Sequence, residues 1–294
     1  MRHLLVATDL STRGQKALRR GLLLARADAA RVTVLHVVDA DQPLQLRDEA
    51  LHNSEAWLQT ALEAEDTAGL DVEIQVVPGP PDATIIELAE QATVDLVVMG
   101  AHRRHLLRDV FVGTTIERVM RGTVLPVLMV NREPEAAYGE ALVAVDFSAT
   151  SEHALQVAAG LGFLGADKAL LLHAFQTVDK VVLAAGGAPP EAIHAHDIRT
   201  AGQALGDLRR MAERHAATDA GGLELRTLMR EGPAVDVITR VAEAENIPLV
   251  VIGSRGLSGL MRLLLGSTAE NYLRTTTTTD VLVVSPATGR AAAA

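Results

Sequence analysis

Two glycine-rich segments of the chain carry residue types that could hold an anion. In the second segment, residues 253–256 read GSRG, nine residues follow, and residues 266–268 read GST. Glycine lets the backbone turn sharply and come close to a ligand, because it has no Cβ to occlude the approach. If residues 266–268 open a helix, their amides and the helix dipole favour an anion, and the two hydroxyls can donate hydrogen bonds to phosphate oxygens. The pattern therefore predicts a phosphate-binding loop.

The first segment keeps this spacing and changes one residue. Residues 100–103 read GAHR, nine residues follow, and residues 113–115 read GTT, so that Arg103 stands where the second segment has Gly256. Arg103 could narrow the turn and abolish binding, or it could swing outward and pair with a phosphate. The sequence leaves both alternatives open.

Residue patterns of efficient catalysis are missing from the sequence. It has no G-x4-G-K-[ST] motif, no G-x-S-x-G motif and no cysteine, which excludes a phosphate-loop lysine and a thiolate nucleophile. Residues 160–165 match G-x-G-x-x-G but fall inside a predicted helix, whereas a dinucleotide fingerprint follows a strand. His194 and His196 could chelate a metal, but no third ligand is identified. We predict neither a catalytic residue nor a metal site built from protein ligands alone.

The glycine-rich segments belong to an internal duplication. Residues 3–38 align without a gap on residues 140–175, and residues 79–100 align on residues 232–253. The superimposed pairs include Asp9 and Asp146, Ser11 and Ser148, and His36 and His173. Two matches in the same order indicate two copies of one domain.

The duplication predicts where the domains begin and end. We expect a first domain at residues 1–133, a second domain at residues 138–287 and a flexible tail at residues 288–294. The second copy is longer between its second and third strands, and we place the insertion near residues 176–195, where the chain is rich in glycine, alanine and proline.

The elements that position the two segments alternate between strands and helices. Strands are predicted at residues 3–8, 31–37, 71–77, 95–99 and 124–130 of the first copy and at 141–145, 169–174, 223–229, 249–252 and 281–284 of the second. Helices are predicted in the first copy at residues 13–29, 44–68, 83–92 and 113–121. This alternation is typical of βαβ units, so we predict two tandem α/β domains, each a five-stranded parallel doubly wound sheet. Ligands bind such sheets beyond the carboxyl ends of the strands.

Composition narrows the class of protein. Hydrophobic residues make up 48% of the 294 residues, which is ample for two aliphatic cores, and no apolar run is long enough to span a bilayer. The formal net charge of −10 argues against a general nucleic-acid or anionic-membrane binder. The first apolar run is too short for a signal peptide, so a cytoplasmic location is expected.

With G-x2-G-x9-G-[ST] after a hydrophobic strand and D-x-S after the first strand, the sequence resembles the universal stress protein family in its tandem, two-domain form. The resemblance covers essentially the whole chain. It implies a flavodoxin-like fold of the adenine nucleotide α-hydrolase type. In the nucleotide-binding branch of that family it also implies a bound ATP, usually with a divalent cation such as Mg²⁺.

The resemblance also implies residue roles. The acidic residue after the first strand and the backbone after the second hold the adenosine, and the glycine loop with its hydroxyls holds the phosphates. The second-copy positions are Asp146, Ala174, Gly253, Gly256, Gly266, Ser267 and Thr268. The first-copy positions are Asp9, Val37, Gly100, Arg103, Gly113, Thr114 and Thr115. The implied function is a stress-response regulator that binds ATP in the second copy and, depending on Arg103, in the first.

Two other functions remain open, a slow ATPase and a nucleotide-free interaction scaffold with decayed pockets. Association is also predicted, because the last strands, residues 127–130 and 281–284, are apolar sheet edges of the kind that proteins cover or pair. Members of the family associate through this strand. We therefore expect the two copies to form an intrachain pseudo-dimer, and two such chains could pair further as a homodimer.

Overall fold

A computed structural model describes residues 1–41, 43–101, 114–164, 169–176, 190–218, 225–256 and 265–287, with only the backbone described for residues 190–198 and 216–218. The expected tail at 288–294, most of the expected insertion near 176–195, and the side chains of His194 and His196 fall outside this description. Of the helices in the described part, none is both long and apolar enough to cross a membrane.

The described residues form ten strands and eight helices, in the alternating order that the sequence predicts. The first copy contains β1 His3–Ala7, α1 Thr12–Asp28, β2 Arg31–Val38, α2 Leu44–Glu63, β3 Val72–Pro78, α3 Pro81–Gln91, β4 Leu96–Gly100, α4 Thr115–Gly122 and β5 Val127–Val130. The second copy contains β6 Ala141–Ala144, α5 Ala149–Gly160, β7 Ala169–Phe175, α6 Pro190–Thr218, β8 Leu225–Glu231, α7 Ala234–Ala244, β9 Leu249–Gly253, α8 Ser267–Thr275 and β10 Asp280–Val284.

All ten strands join into one sheet in the order β3-β2-β1-β4-β5-β10-β9-β6-β7-β8. Within each copy the strands are parallel, which confirms the predicted doubly wound α/β fold. The copies meet where β5 and β10 pair antiparallel, with Leu128 opposite Leu282. The last strands thus cover each other's edges within one chain, which fits the expected intrachain pseudo-dimer.

Three predicted boundaries are wrong. Helix α2 ends at Glu63 rather than at residue 68, and turns follow it. Strand β5 begins at Val127 rather than at residue 124, because Val124 is 50% exposed and Pro126 has no amide to donate to a strand partner. Helix α5 ends at Gly160, and Gly162 has a φ of +73°, so residues 160–164 of the G-x-G-x-x-G match form a helix end and not a helix interior.

Helices cover both faces of the sheet, and each face has its own hydrophobic core. One core packs α1, α2, α5 and α6 against the sheet, through residues such as Leu18, Leu58, Leu155 and Leu208. The other packs α3, α4, α7 and α8, through residues such as Ile85, Val119, Ile238 and Tyr272. Each core contains residues of both copies, so the apolar interior continues across the β5–β10 junction.

A buried carboxylate ties the linker between the copies to this junction. Asp280, the first residue of β10, has no exposed surface. It accepts hydrogen bonds from the amides of Asn131 (2.8 Å) and Arg132 (2.9 Å) and from the hydroxyl of Tyr138 (2.6 Å). The Nε of buried Arg20, on α1, lies 3.3 Å from Asp280 Oδ2, the oxygen that also accepts from Tyr138, and forms an ion pair with it. One side chain of the second copy therefore holds the linker and the first helix of the first copy.

Candidate nucleotide sites

Each copy contains a cavity beyond the carboxyl ends of its strands. Site 1, in the first copy, has a volume of about 450 Å³ and is lined by Asp9, Val37, Gly100, Thr114 and Thr115 among others. Site 2, in the second copy, has a volume of about 320 Å³ and is lined by Asp146, Ala174, Gly253, Gly256, Gly266, Ser267 and Thr268 among others. Both volumes lie in the range of small-molecule sites. The structure thus brings together every described residue that the sequence predicts for a site, while Arg103 and Gly113 lie outside the described residues.

The D-x-S segment fixes the carboxylate at the edge of each cavity. In site 2, Asp146 Oδ1 accepts hydrogen bonds from the amide (3.0 Å) and the hydroxyl (2.6 Å) of Ser148. Ser148 in turn caps α5, because its side chain accepts from the amide of Ser151. Asp9 and Ser11 repeat the arrangement at α1 in site 1. Each carboxylate is thereby oriented by the same serine that starts the neighbouring helix.

The residue between the aspartate and the serine has a left-handed backbone in both copies. Leu10 has a φ of 60° and Phe147 a φ of 61°, which is uncommon for residues with large side chains. Such conformations cost of order 1 kcal/mol or more and concentrate at functional sites. The same strained turn therefore follows the aspartate that lines the cavity in each copy.

The glycines of site 2 are required by close packing. A Cβ on Gly256 would stand 2.6 Å from Asp146 Oδ2, and a Cβ on Gly253 would stand 3.0 Å from the side chain of Thr150. A Cβ on Gly266 would stand 3.2 Å from the carbonyl oxygen of Ser254. A side chain at residue 256 would displace the aspartate, and side chains at residues 253 and 266 would press on the first turn of α5 and on the carbonyl of Ser254.

The helices that open onto the two sites differ at their N-termini. In site 1, the Thr114 side chain accepts from the amide of Glu117, and Glu117 Oε2 accepts from the amide of Thr114 (2.9 Å), which together form a capping box. In site 2, α8 begins at Ser267 after Gly266 and has no side-chain cap. The amide of Ser267 is thus available to a ligand, whereas the equivalent amide of Thr114 is occupied by a carboxylate of the protein.

Three arginines that the sequence analysis does not predict as site residues also line the two sites. Arg255 lines site 2, whereas Arg13 and Arg118 line site 1. Arg118 forms an ion pair with Asp82 (3.0 Å), and the Nε of Arg13 is buried without a hydrogen-bond partner in the described part of the chain. A comparison of the two copies could have singled out both first-copy arginines. The second copy has threonine and asparagine at the equivalent positions, 150 and 271.

The two equivalent histidines have structural partners. His36 Nδ1 lies 2.8 Å from the carbonyl oxygen of Thr8, and His173 Nδ1 lies 2.7 Å from that of Val145. A carbonyl only accepts, so each Nδ1 carries the proton and donates. Each histidine therefore makes a structural hydrogen bond to the segment that follows the neighbouring strand.

Comparison with known proteins identifies the family. The profile of the Universal stress protein family matches residues 1–131 and 137–285. The chain belongs to the universal stress protein family and carries two of its domains in tandem. Universal stress protein E of Salmonella typhi is 25% identical to it, with 97% of this chain and 94% of the relative covered. A universal stress protein of Mycolicibacterium smegmatis is 26% identical, with 96% and 97% covered.

The fold is shared with a solved structure over nearly the whole chain. The crystal structure of a universal stress protein from Archaeoglobus fulgidus matches with a TM-score of 0.72 and 22% identity. The match covers 97% of this chain and 98% of that one. At this identity the likeness shows the tandem fold.

Proposed function

We propose that this universal stress protein binds ATP with Mg²⁺ at site 2, and more weakly at site 1, and that the bound nucleotide sets its conformation or association in a stress response. The observation that supports this most strongly is the convergence of all seven second-copy residues on one cavity. The residues that line the cavity suit a nucleoside at one end and an anion at the other.

The nucleoside end of site 2 is apolar with one fixed carboxylate. Leu172, Ile238 and Ile252 line the cavity and offer flat apolar surface to an adenine ring. Ala174, near the end of β7, offers backbone groups to the edge of the base. Asp146 keeps Oδ2 for a ribose hydroxyl, because Oδ1 is held by Ser148.

The phosphate end is the uncapped start of α8. Ser267 and Thr268 offer two amides and two hydroxyls, Arg255 adds a positive charge, and the helix dipole favours an anion there. No group of three or more His, Asp or Glu is arranged to hold a metal in the described part of the chain. Mg²⁺ commonly binds through substrate phosphates and waters, so it would enter together with the triphosphate.

Efficient hydrolysis is not part of the proposal. Among the described residues that line site 2, Asp146 is the only carboxylate, and its position suits a sugar hydroxyl. General-base catalysis needs a group within hydrogen-bond reach of the attacking water, and real enzymes turn over at about one per second or faster. Turnover at that rate would favour the ATPase alternative.

Titration calorimetry of the full chain with ATP and Mg²⁺ tests the proposal. We expect binding in the micromolar range, an affinity of about −8 kcal/mol. Asp146→Ala should weaken it by at least about tenfold, because the ribose loses its acceptor. Asp71→Ala, at an exposed carboxylate far from both sites, is the matched control and should leave affinity unchanged. Absence of binding by the wild-type chain would support the scaffold alternative.

A further inference from the structure

Both helices that open onto the sites begin with the same capping-box sequence. Thr114 precedes Glu117 by three residues on α4, and Ser267 precedes Glu270 by three residues on α8, which is the S/T-x-x-E pattern. The structure forms the box on α4, where Thr114 is the N-cap residue. Helix α8 starts one residue earlier in the alignment, with Gly266 as its N-cap residue and Ser267 as its first residue, so no side chain caps it. Two equivalent sequences thus adopt two different states in one molecule.

The two glutamates meet in a cluster of four charges between the copies. The four-charge cluster consists of Glu117 and Arg121 on α4 with Glu270 and Arg274 on α8, and each pair occupies equivalent positions in the duplication. Arg274 Nε lies 2.9 Å from Glu117 Oε1, and Arg274 Nη2 lies 2.7 Å from Glu270 Oε1. Arg121 lies 3.8 Å from each glutamate. The cluster therefore has approximate two-fold symmetry in its residues but not in its distances.

The asymmetry follows from which glutamate caps its own helix. Glu117 is only 2% exposed and divides its oxygens between the Thr114 amide and Arg274. Glu270 is turned to Arg274 and Arg121. The symmetry of the residues defines a mirrored arrangement in which α8 starts one residue later, with Ser267 as its N-cap residue and its amide bound by Glu270. In that arrangement Arg121 bridges the two glutamates closely, and Glu117 leaves Thr114.

We propose that the four-charge cluster is a two-position switch that leaves one helix N-terminus open to a phosphate at a time, so that the two sites compete for nucleotide within one chain. In the arrangement seen, α8 is open and site 2 fills first. A phosphate that enters site 1 must take the Thr114 amide from Glu117, which drives the cluster toward the mirrored arrangement and caps α8. This inference rests on the proposed nucleotide binding.

The energetics are those of negative coupling between two sites. A ligand shifts a two-state element only by its difference in affinity for the two states, and such couplings commonly change affinity by about 5- to 150-fold. We therefore expect the second ATP to bind at least about tenfold more weakly than the first, beyond the statistical factor.

Native mass spectrometry of the full chain, titrated with ATP and Mg²⁺, measures both steps. In the wild type, the species with one ATP should predominate over a range of ATP concentrations before the species with two becomes abundant. Glu270→Ala removes the group that caps α8, so the second step should tighten. Arg121→Gln removes the bridge of the mirrored arrangement, so the second step should weaken further. Glu90→Ala, at an exposed position on α3, removes the same charge as Glu270→Ala and should change neither step.

The possible results distinguish the two-position switch from nucleotide binding itself. Two ATP molecules bound with equal, independent affinity would leave nucleotide binding standing and overturn the switch. Shifts of the same sign in Glu270→Ala and Arg121→Gln would also overturn it. If the wild type binds no ATP, both proposals fail. Circular dichroism of each variant, matched to the wild type, ensures that the comparison is between folded chains.

Discussion

At the scale of single residues, Gly256 and Asp146 determine each other's position. A Cβ at residue 256 would stand 2.6 Å from Asp146 Oδ2, so a side chain there must push the carboxylate away from the ribose position. We predict that Gly256→Val weakens ATP binding at least about tenfold, or by at least about 1.4 kcal/mol. Titration calorimetry measures the change.

A second glycine provides the control for that variant. A Cβ on Gly160, the last residue of α5, meets nothing within 4 Å. Gly160→Ala should therefore keep the affinity of the wild type. Equal affinities for Gly256→Val and the wild type would show that the nucleotide binds elsewhere.

Glu117 gives the stability of the chain a dependence on pH. Burial acts to raise the pKa of this carboxyl, but hydrogen bonds from Arg274 and the Thr114 amide outweigh it and hold the pKa below its ordinary value. A lowered folded-state pKa contributes stability above the unfolded pKa of about 4.3 and loses it as pH falls through the folded value. Glu117→Gln should therefore have a lower free energy of unfolding than the wild type at pH 7. This difference should disappear on acidification below about pH 4.

Urea unfolding at pH 7 and at successively lower pH measures that difference. Glu90→Gln, at an exposed position on α3, provides the reference for a change of charge alone. A difference for Glu117→Gln that stays constant across the acid range would contradict the ionic role assigned to Glu117.

The sequence predicts these residues unequally. The glycines and D-x-S could be found because their chemistry is local: a turn, a close approach and a helix cap within a few residues. Glu117 could not be found, because its role depends on Arg274, which lies in the other copy and reaches it only after α4 and α8 pack together. Arg13 was missed because a lone arginine in a helix carries no local signal.

At the scale of elements, the linker and β10 depend on one buried ion pair. Burial, followed by the charge of Asp280, raises the pKa of the Tyr138 hydroxyl well above its ordinary value, so this hydroxyl stays protonated and donates to Asp280. Arg20 pairs with Asp280 and also lies 4.2 Å from the centre of the Tyr138 ring. Removal of one partner from such a buried pair leaves the other charge uncompensated.

We predict that Asp280→Ala lowers the free energy of unfolding by about 3–5 kcal/mol. Chemical denaturation measures the loss. Asp71→Ala breaks an exposed pair with Arg31 at 3.8 Å and should cost less than about 1 kcal/mol. A similar small cost for Asp280→Ala would show that the linker is not held by this contact.

The element boundaries show where sequence patterns lose their power. The sequence pattern predicts all ten strands, and the central ones, such as β1 and β4, are easiest to find because they are buried and continuously apolar. The end of α2 and the start of β5 were placed wrongly, because helical propensity continues beyond Glu63 and apolar residues precede Val127. The start of β5 is set by Pro126, which has no amide to donate to a strand partner.

At the scale of the whole molecule, the two copies form one sheet with continuous cores. Leu128 and Leu282 are fully buried and face each other across the antiparallel junction. The sequence predicts that the copies associate through their last strands, but the antiparallel register of that pairing and the anchoring of the linker by Asp280 appear only in the fold.

Because the two copies share both cores, we expect them to unfold together. We predict a single cooperative transition in scanning calorimetry, with a calorimetric enthalpy equal to the van't Hoff enthalpy. Leu282→Ala should lower the transition temperature without splitting the peak, at a cost of about 2–5 kcal/mol. Two resolved transitions in the wild type would show that the copies are thermodynamically independent.

The most direct test of nucleotide binding is mass spectrometry of the small molecules that the protein releases. The full chain is incubated with ATP and Mg²⁺, passed through a desalting column and denatured, and Gly256→Val is treated in parallel. We predict an adenine nucleotide at close to one per wild-type chain and far less from the variant. No nucleotide above the level released by Gly256→Val would contradict the assignment of site 2.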